Sequence, residues 1–349
     1  MTTTYSTRTR RFGFGAAAIA TTLTLLVTAC GGEGISSSTG GGDTLRIAYQ
    51  VIPNSAPIVK HEGWLEDELD MDVEWQQFDA GADVNQAVAS GSVDVGLVGS
   101  TLVANGIATG LEYEVPFIYD VIGDNEALVA QDGIDSLQDL EGKKVATPLG
   151  STTQYSLVAA LEDAGVDPES VSILDMEPPD ALAAWEEGSI DAAYVWHPTL
   201  QQMIDSGGKV LVTSGDLAEQ GVVTADLGIV SSEFADENPD VVSAWLEAES
   251  RGAQLIQDDP DKAAEIVADE FGIGKEDVAT QMKDLIILNG EEQLTTDYLG
   301  ADGSPGDLAG TLHKTAVFLA DNDLIDTVPD ESEFEDVVNP SYLQDAVGE

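Results

Sequence analysis

The sequence predicts an α/β protein with two lobes, and three observations lead there. Apolar runs of strand length alternate with helical stretches from residue 45 onward, the pattern of βα units with largely parallel sheets. The alternation runs once up to Gly123 and then again, over a chain of 349 residues, long enough for two cores. The single cysteine, Cys30, lies near the N-terminus, so the folded part holds together by packing without disulfides.

The elements follow in order. Residues 45–50 read as a strand, 57–69 as a helix with Ile58, Val59, Trp64 and Leu65 on its inner face, and 73–78 as a strand. A helix at 84–89, a strand at 93–98, a helix at 102–108 and a strand at 113–119 complete the first run. The second has strands at 144–147, 171–174, 190–196 and 210–213, with helices at 152–164, 179–187 and 197–204. Ser151 is placed to cap the helix at 152–164, whose stripe is Leu157, Leu161 and Ala164. A strand at 225–230 follows, then helices at 241–257, 261–271, 276–288 and 308–322, and an acidic, weakly patterned tail from Asp326. The expected layout is residues 44–126 and 231–349 in lobe I and 127–230 in lobe II. Ligands of open α/β sheets bind beyond the C-terminal strand ends, so a cleft between the lobes is the expected site.

The N-terminus carries a different message. Arg8, Arg10 and Arg11 precede a short apolar run that ends at Leu26-Val27-Thr28-Ala29-Cys30. A basic start, an apolar stretch and small residues before a cleavage point make an export signal over residues 1–29. A cysteine directly after the small residues has the form of a bacterial lipobox, which makes Cys30 the expected lipidation site. A membrane-spanning helix fits less well, because the run is short and rich in Thr and Gly. Arg10-Arg11 hints at twin-arginine export, although Gly13 stands where that pattern wants an apolar residue. Residues 30–43 form a Gly/Ser tether, about 20 Å in root-mean-square span. The expected location is the outer face of the cytoplasmic membrane.

Lys and Arg total 13 against 65 Asp and Glu, a formal net charge of −52. The acids are spread along the chain as a solvated coat. Such a surface repels itself at low ionic strength, and salt near 1 M shortens the screening length to about 3 Å. A salt-loving source follows. With no basic patch, nucleic acid is excluded as a partner.

Enzyme motifs are absent. His61, His197 and His313 match no metal-ligand spacing, and no nucleophile elbow, phosphate loop or dinucleotide fingerprint occurs. No metal and no cofactor are expected. Three strand-to-helix turns suit an anion instead: Phe78-Asp79-Ala80-Gly81, Gly99-Ser100-Thr101 and Ser151-Thr152-Thr153. Free N–H groups, hydroxyls and the helix dipole favour negative charge there, and plain N-capping is the competing role. Tyr155, Tyr194, Trp196 and Tyr49 stand near the same edges, as pocket wall or as core. Glu126 and Asp226 each begin an apolar strand at a natural crossing between lobes. A buried carboxylate needs a partner, and so few basic residues point to a ligand ammonium; an exposed strand-end acid is the alternative.

Together these residues resemble the taurine-binding branch of the nitrate, sulfonate and taurine solute-binding group of bacterial ABC importers. The resemblance rests on Ile47-Ala48-Tyr49-Gln50, Phe78-Asp79-Ala80-Gly81-Ala82, Gly99-Ser100, Asn125-Glu126-Ala127-Leu128-Val129, Ser151-Thr152-Thr153, Pro178-Pro179 and Ala193-Tyr194-Val195-Trp196, in order along residues 45 to about 320. It implies a type II periplasmic-binding-protein clam with two hinge crossings, a monomer that delivers its solute to a membrane permease. Gln50, Ser100, Thr152, Thr153, Tyr155 and Trp196 would surround a sulfonate and its carbon chain, with Asp79, Thr101 and Tyr194 alongside. Glu126 and Asp226 would face an amine. The chain departs from the group at Thr101, Gln154, His197 and the stretch Gly303-Ser304-Pro305-Gly306. Nitrate, a plain alkanesulfonate or a thiamine-precursor pyrimidine would fit the same clam. An enzyme on this fold would have only His197 to work with, and a ligand-free scaffold is the third class.

Overall fold

The structure is a computed structural model that describes residues 44–301 and 304–348. The export signal, Cys30, the tether and Gly303 lie outside the described residues.

Two sheets organise the chain. It enters through β1 (Thr44–Tyr49), then α1 (Ala56–Glu62) and α2 (Trp64–Glu68). These two helices replace the single expected one because Gly63 adopts the left-handed conformation (φ 65°) and ends the first. β2 (Asp72–Gln77), α3 (Gly81–Ala89), β3 (Val95–Gly99), α4 (Ser100–Thr109) and β4 (Tyr113–Ile122) follow. The chain then crosses to the second sheet through residues 123–125.

There it forms β5 (Glu126–Ala130), β6 (Lys144–Thr147), α5 (Thr152–Asp163), β7 (Ser172–Asp175), α6 (Pro178–Glu186), β8 (Ala192–Trp196), α7 (Thr199–Asp205) and β9 (Lys209–Thr213). Ser151 caps α5 as expected, accepting from the Gln154 N–H. α8 (Ser214–Ala218) belongs to the return crossing and leads to β10 (Ala225–Ser231).

β10 overturns one expectation. It lies in the six-stranded sheet, order β11-β4-β10-β3-β1-β2, and not at the end of the second lobe. The five-stranded sheet runs β7-β6-β8-β5-β9. Both sheets are also mixed where largely parallel ones were expected. β1 pairs parallel with β2 and β3, and β6 with β7 and β8, but β10 and β5 run antiparallel to their neighbours. Each of these two strands follows a crossing, so each enters its sheet from the opposite end.

The C-terminal part wraps the larger sheet: α9 (Ser232–Glu237), α10 (Pro239–Asp258), α11 (Pro260–Phe271), α12 (Lys275–Gln281), β11 (Leu285–Ile286), α13 (Gly290–Gln293), a small hairpin of β12 (Gly300–Ala301) and β13 (Ser304–Pro305), and α14 (Asp307–Asp321). The helix expected over 276–288 stops at Gln281, because Leu285 and Ile286 pair with the edge of β4. The tail read as weakly patterned contains α15 (Glu331–Val337) and α16 (Ser341–Val347). An Asp330–Glu333 capping box starts α15, and buried Phe334 and Leu343 dock the pair on the core. A side chain of that kind contributes about 1.5–3 kcal/mol when fully buried.

Candidate functional site

A small crevice of about 20 Å³ lies where the two sheets face each other, lined by Gln50, Ile52, Gly81, Gly99, Leu102, Asn125, Glu126, Ser151, Thr152, Trp196 and Asp226. Three helix starts meet there. Gly81 opens α3, Gly99 precedes α4, and Ser151 and Thr152 open α5. The three turns that suit an anion are thus brought to one place, α3 and α4 from the larger sheet and α5 from the smaller. At two of them a glycine lets the backbone come close to a neighbouring side chain. A Cβ on Gly99 would sit 2.9 Å from Thr152 Cγ2, and one on Gly81 2.7 Å from Leu102 Cδ1.

The opposite character is supplied by carboxyls. Glu126 is 3 % exposed and Asp226 6 %. Glu126 Oε1 accepts from the Thr152 hydroxyl at 2.6 Å and its Oε2 from Ser214 at 3.2 Å. Burial pushes its carboxyl up to about 8, and the nearby Asp226 adds to the rise. Burial likewise raises Asp226 to about 7. Behind Asp226 stands Asp120 of β4, fully buried and directly across the antiparallel ladder. Its carboxyl is held well above the usual range by burial and then by Asp226. Among the described residues, no Lys, Arg or His lines the crevice to neutralise these groups.

Of the residues singled out in the sequence, Gln50, Glu126, Thr152, Trp196 and Asp226 line the crevice. Gln50 Nε2 donates to the Leu97 carbonyl at 3.2 Å, which fixes its side chain. Trp196 pairs with Glu126 across β8 and β5, so the wall and the acid sit side by side. The others are placed elsewhere. Asp79 is exposed and belongs to a group of acids with Asp83, Asp175 and Glu177. Ser100 turns its hydroxyl to accept from the Ala225 N–H at 3.3 Å, and Thr101 is fully buried. Thr153 is tied to Thr147 (2.8 Å) and Ser151 (2.7 Å), a brace for the start of α5. Tyr155 packs edge-on against Phe318 of α14, with centroids 4.4 Å apart. Tyr194 shares a 3.0 Å hydrogen bond with Ser214 behind Glu126. Tyr49 packs edge-on against Trp75. His197 is buried, its Nε2 3.4 Å from Asp284.

Sequence reasoning missed Ile52 and Leu102 as lining residues, and Asp120 behind them. For Asp120 a signal existed: an acid inside the apolar strand Phe117-Ile118-Tyr119-Asp120-Val121-Ile122.

Two sheets, two crossings and a crevice between the strand ends define the type II periplasmic-binding-protein fold. The structure aligns with the periplasmic aliphatic sulphonate binding protein of Escherichia coli at a TM-score of 0.66 and 21% identity, over 84% of this chain and 98% of that one. Residues 53–263 match the model of the family described as NMT1/THI5 like, and the chain belongs to that family. It is 36% identical to the taurine-binding periplasmic protein of Escherichia coli (strain K12) over 215 residues, 62% of this chain and 67% of the relative. It is 28% identical to a Bacillus subtilis (strain 168) protein named for aliphatic sulfonate binding, over 81% of this chain and 85% of that one.

Proposed function

We propose that this protein is the extracytoplasmic solute-binding component of an ABC importer and captures taurine, or a closely related amino-sulfonate, by closure of the two lobes. One observation carries the reading: helix starts and buried carboxyls line one crevice that has no Lys, Arg or His among its described lining residues. The helix N-termini favour a sulfonate. Glu126 and Asp226 offer acceptors to an ammonium, and Trp196 packs the two carbons between. Each charge-assisted hydrogen bond of this kind contributes about 1.5–3 kcal/mol, more where closure excludes water. The likeness to the taurine-binding relative supports the same reading.

A plain aliphatic sulfonate is the second reading, favoured by the names of the Bacillus subtilis relative and the aligned structure. It leaves Glu126 and Asp226 without a counter-charge. Nitrate and a pyrimidine lack the dipolar match. In this role the protein acts as a monomer that hands its solute to a membrane permease. The lipobox form at Cys30 supports an anchor on the outer face of the membrane, and the charge of −52 supports work in concentrated salt.

Titrating the purified protein with taurine, following tryptophan fluorescence, tests the proposal. Saturable quenching or enhancement that is lost in Trp196→Phe is expected. No response to taurine alongside a response to nitrate or to a pyrimidine would overturn it.

A further inference from the structure

Asp120 takes no part in the reading above, yet it is the most enclosed acid near the crevice. It sits on β4 directly opposite Asp226 on β10, and its accessible surface is zero. The Asn54 side-chain amide donates to its Oδ2 at 3.2 Å, and no N–H or O–H among the described residues donates to its Oδ1. That cross-strand pairing puts the two carboxyl-bearing side chains on one face of the sheet, with Cβ atoms about 4.5–5.5 Å apart. Two ionised carboxylates buried this close repel and can only accept, so a proton on one of them replaces the repulsion with a hydrogen bond. The charged neighbours of Asp120 are Asp226 from β10 and Glu126 from β5, all of one sign.

We propose that Asp120 is a positioning residue: it is kept as a neutral carboxylic acid whose O–H donates to Asp226, and so holds Asp226 as the ionised, oriented acceptor for the ligand's ammonium. The proposal rests on the reading of Asp226 as an ammonium acceptor. No bond is broken in this arrangement. With the cation bound, the proton is on Asp120 and the negative charge on Asp226, so the ammonium faces the charged member of the pair.

The direction of the shifts agrees. Burial and then Asp226 raise the Asp120 carboxyl, the direction that keeps its proton; burial raises Asp226 as well, and Asp120 acts against that rise. A second consequence concerns protons. Glu126 is raised to about 8 and Asp226 to about 7 in the empty crevice. An ammonium placed beside them favours their ionised forms, so taurine binding near pH 7 releases protons.

Two variants separate positioning from mere support. In Asp120→Asn the carboxamide N–H replaces the donor, so taurine affinity at pH 7 should stay within about threefold of wild type. In Asp120→Leu the donor is gone, and affinity should fall about tenfold or more, the loss of one charged hydrogen bond. Equal loss in both variants, or none in either, would overturn the proposal. A readout without ligand completes the test. Infrared difference spectra of empty wild type against Asp120→Asn at neutral pH should show the C=O stretch of a protonated carboxyl lost in the variant, and its persistence would show Asp120 to be ionised. Failure of wild type to bind taurine would overturn the functional reading alone, because the infrared result still decides where the proton lies.

Discussion

Glu249 on α10 and the carboxyls at the crevice are buried equally well but provisioned differently. Glu249 is fully buried and accepts from the Ser55 hydroxyl (2.6 Å), the Tyr119 hydroxyl (3.2 Å) and Trp245 Nε1 (3.3 Å). Asp226 instead faces another buried acid, Asp120, across the antiparallel ladder. Glu126 has two hydroxyls and faces open space. Burying a carboxyl is costly unless donors replace water. Glu249 finds its donors in the fold and fastens α10 to β4. Asp226 and Glu126 find theirs only in part, the gap that the proposed ligand ammonium would fill.

The largest expected effect that sharpens this contrast is on stability. Glu249→Leu strands three buried donors, each costing about 1–3 kcal/mol, so thermal unfolding should come several degrees earlier. Taurine affinity should change less than about twofold. A variant of unaltered melting temperature would show that Glu249 is not the fastening it resembles.

Asp226→Asn should do the reverse. Calorimetric titration should find taurine bound about 10–100-fold more weakly, the equivalent of about 1.5–3 kcal/mol. Unfolding of the empty variant at pH 8 should be no easier than in wild type, since a buried charge has been removed.

A smaller effect is the pH dependence of the empty protein. Glu126 is raised to about 8, and Asp226 and Glu249 to about 7, all mainly by burial. In this window the folded state holds protons that the unfolded chain, with carboxyls near pH 4, has lost. Stability is therefore greatest toward pH 5 and declines as pH rises through 7 to 8. Saturating taurine should flatten the slope, because the bound ammonium favours the ionised forms. Melting curves from pH 5 to 9 with and without taurine check the sign, and a stability that climbs over pH 6–8 would contradict it.

The smallest effect is at Asp79. Its side chain is exposed and outside the crevice, so Asp79→Asn should leave taurine affinity within about twofold by the same titration.

The alternation of strands and helices was legible because each element carries its own period and caps. Ser151 and the three turns were readable for the same reason: a cap and the helix it starts are neighbours in sequence. What escaped depends on distant partners. β10 changes sheets because β3 and β4 flank it, and the strand's own residues do not say so. Asp79 shares a turn with Gly81, yet only the glycine faces the crevice. Thr153 and Tyr194 are drawn away by Thr147 and Ser214. Asp120 gains its meaning from Asp226, more than a hundred positions later. The short C-terminal helices were missed because Phe334 and Leu343 need the finished core to dock on.

The most direct measurement is a pair of calorimetric titrations, taurine against ethanesulfonate, on wild type and on Asp226→Asn. The two ligands share a sulfonate and two carbons and differ by the amine. Taurine should bind wild type at least about tenfold more tightly, and the gap should close in Asp226→Asn. Equal affinities in wild type, or a gap that survives the substitution, would contradict the role assigned to the buried carboxyls.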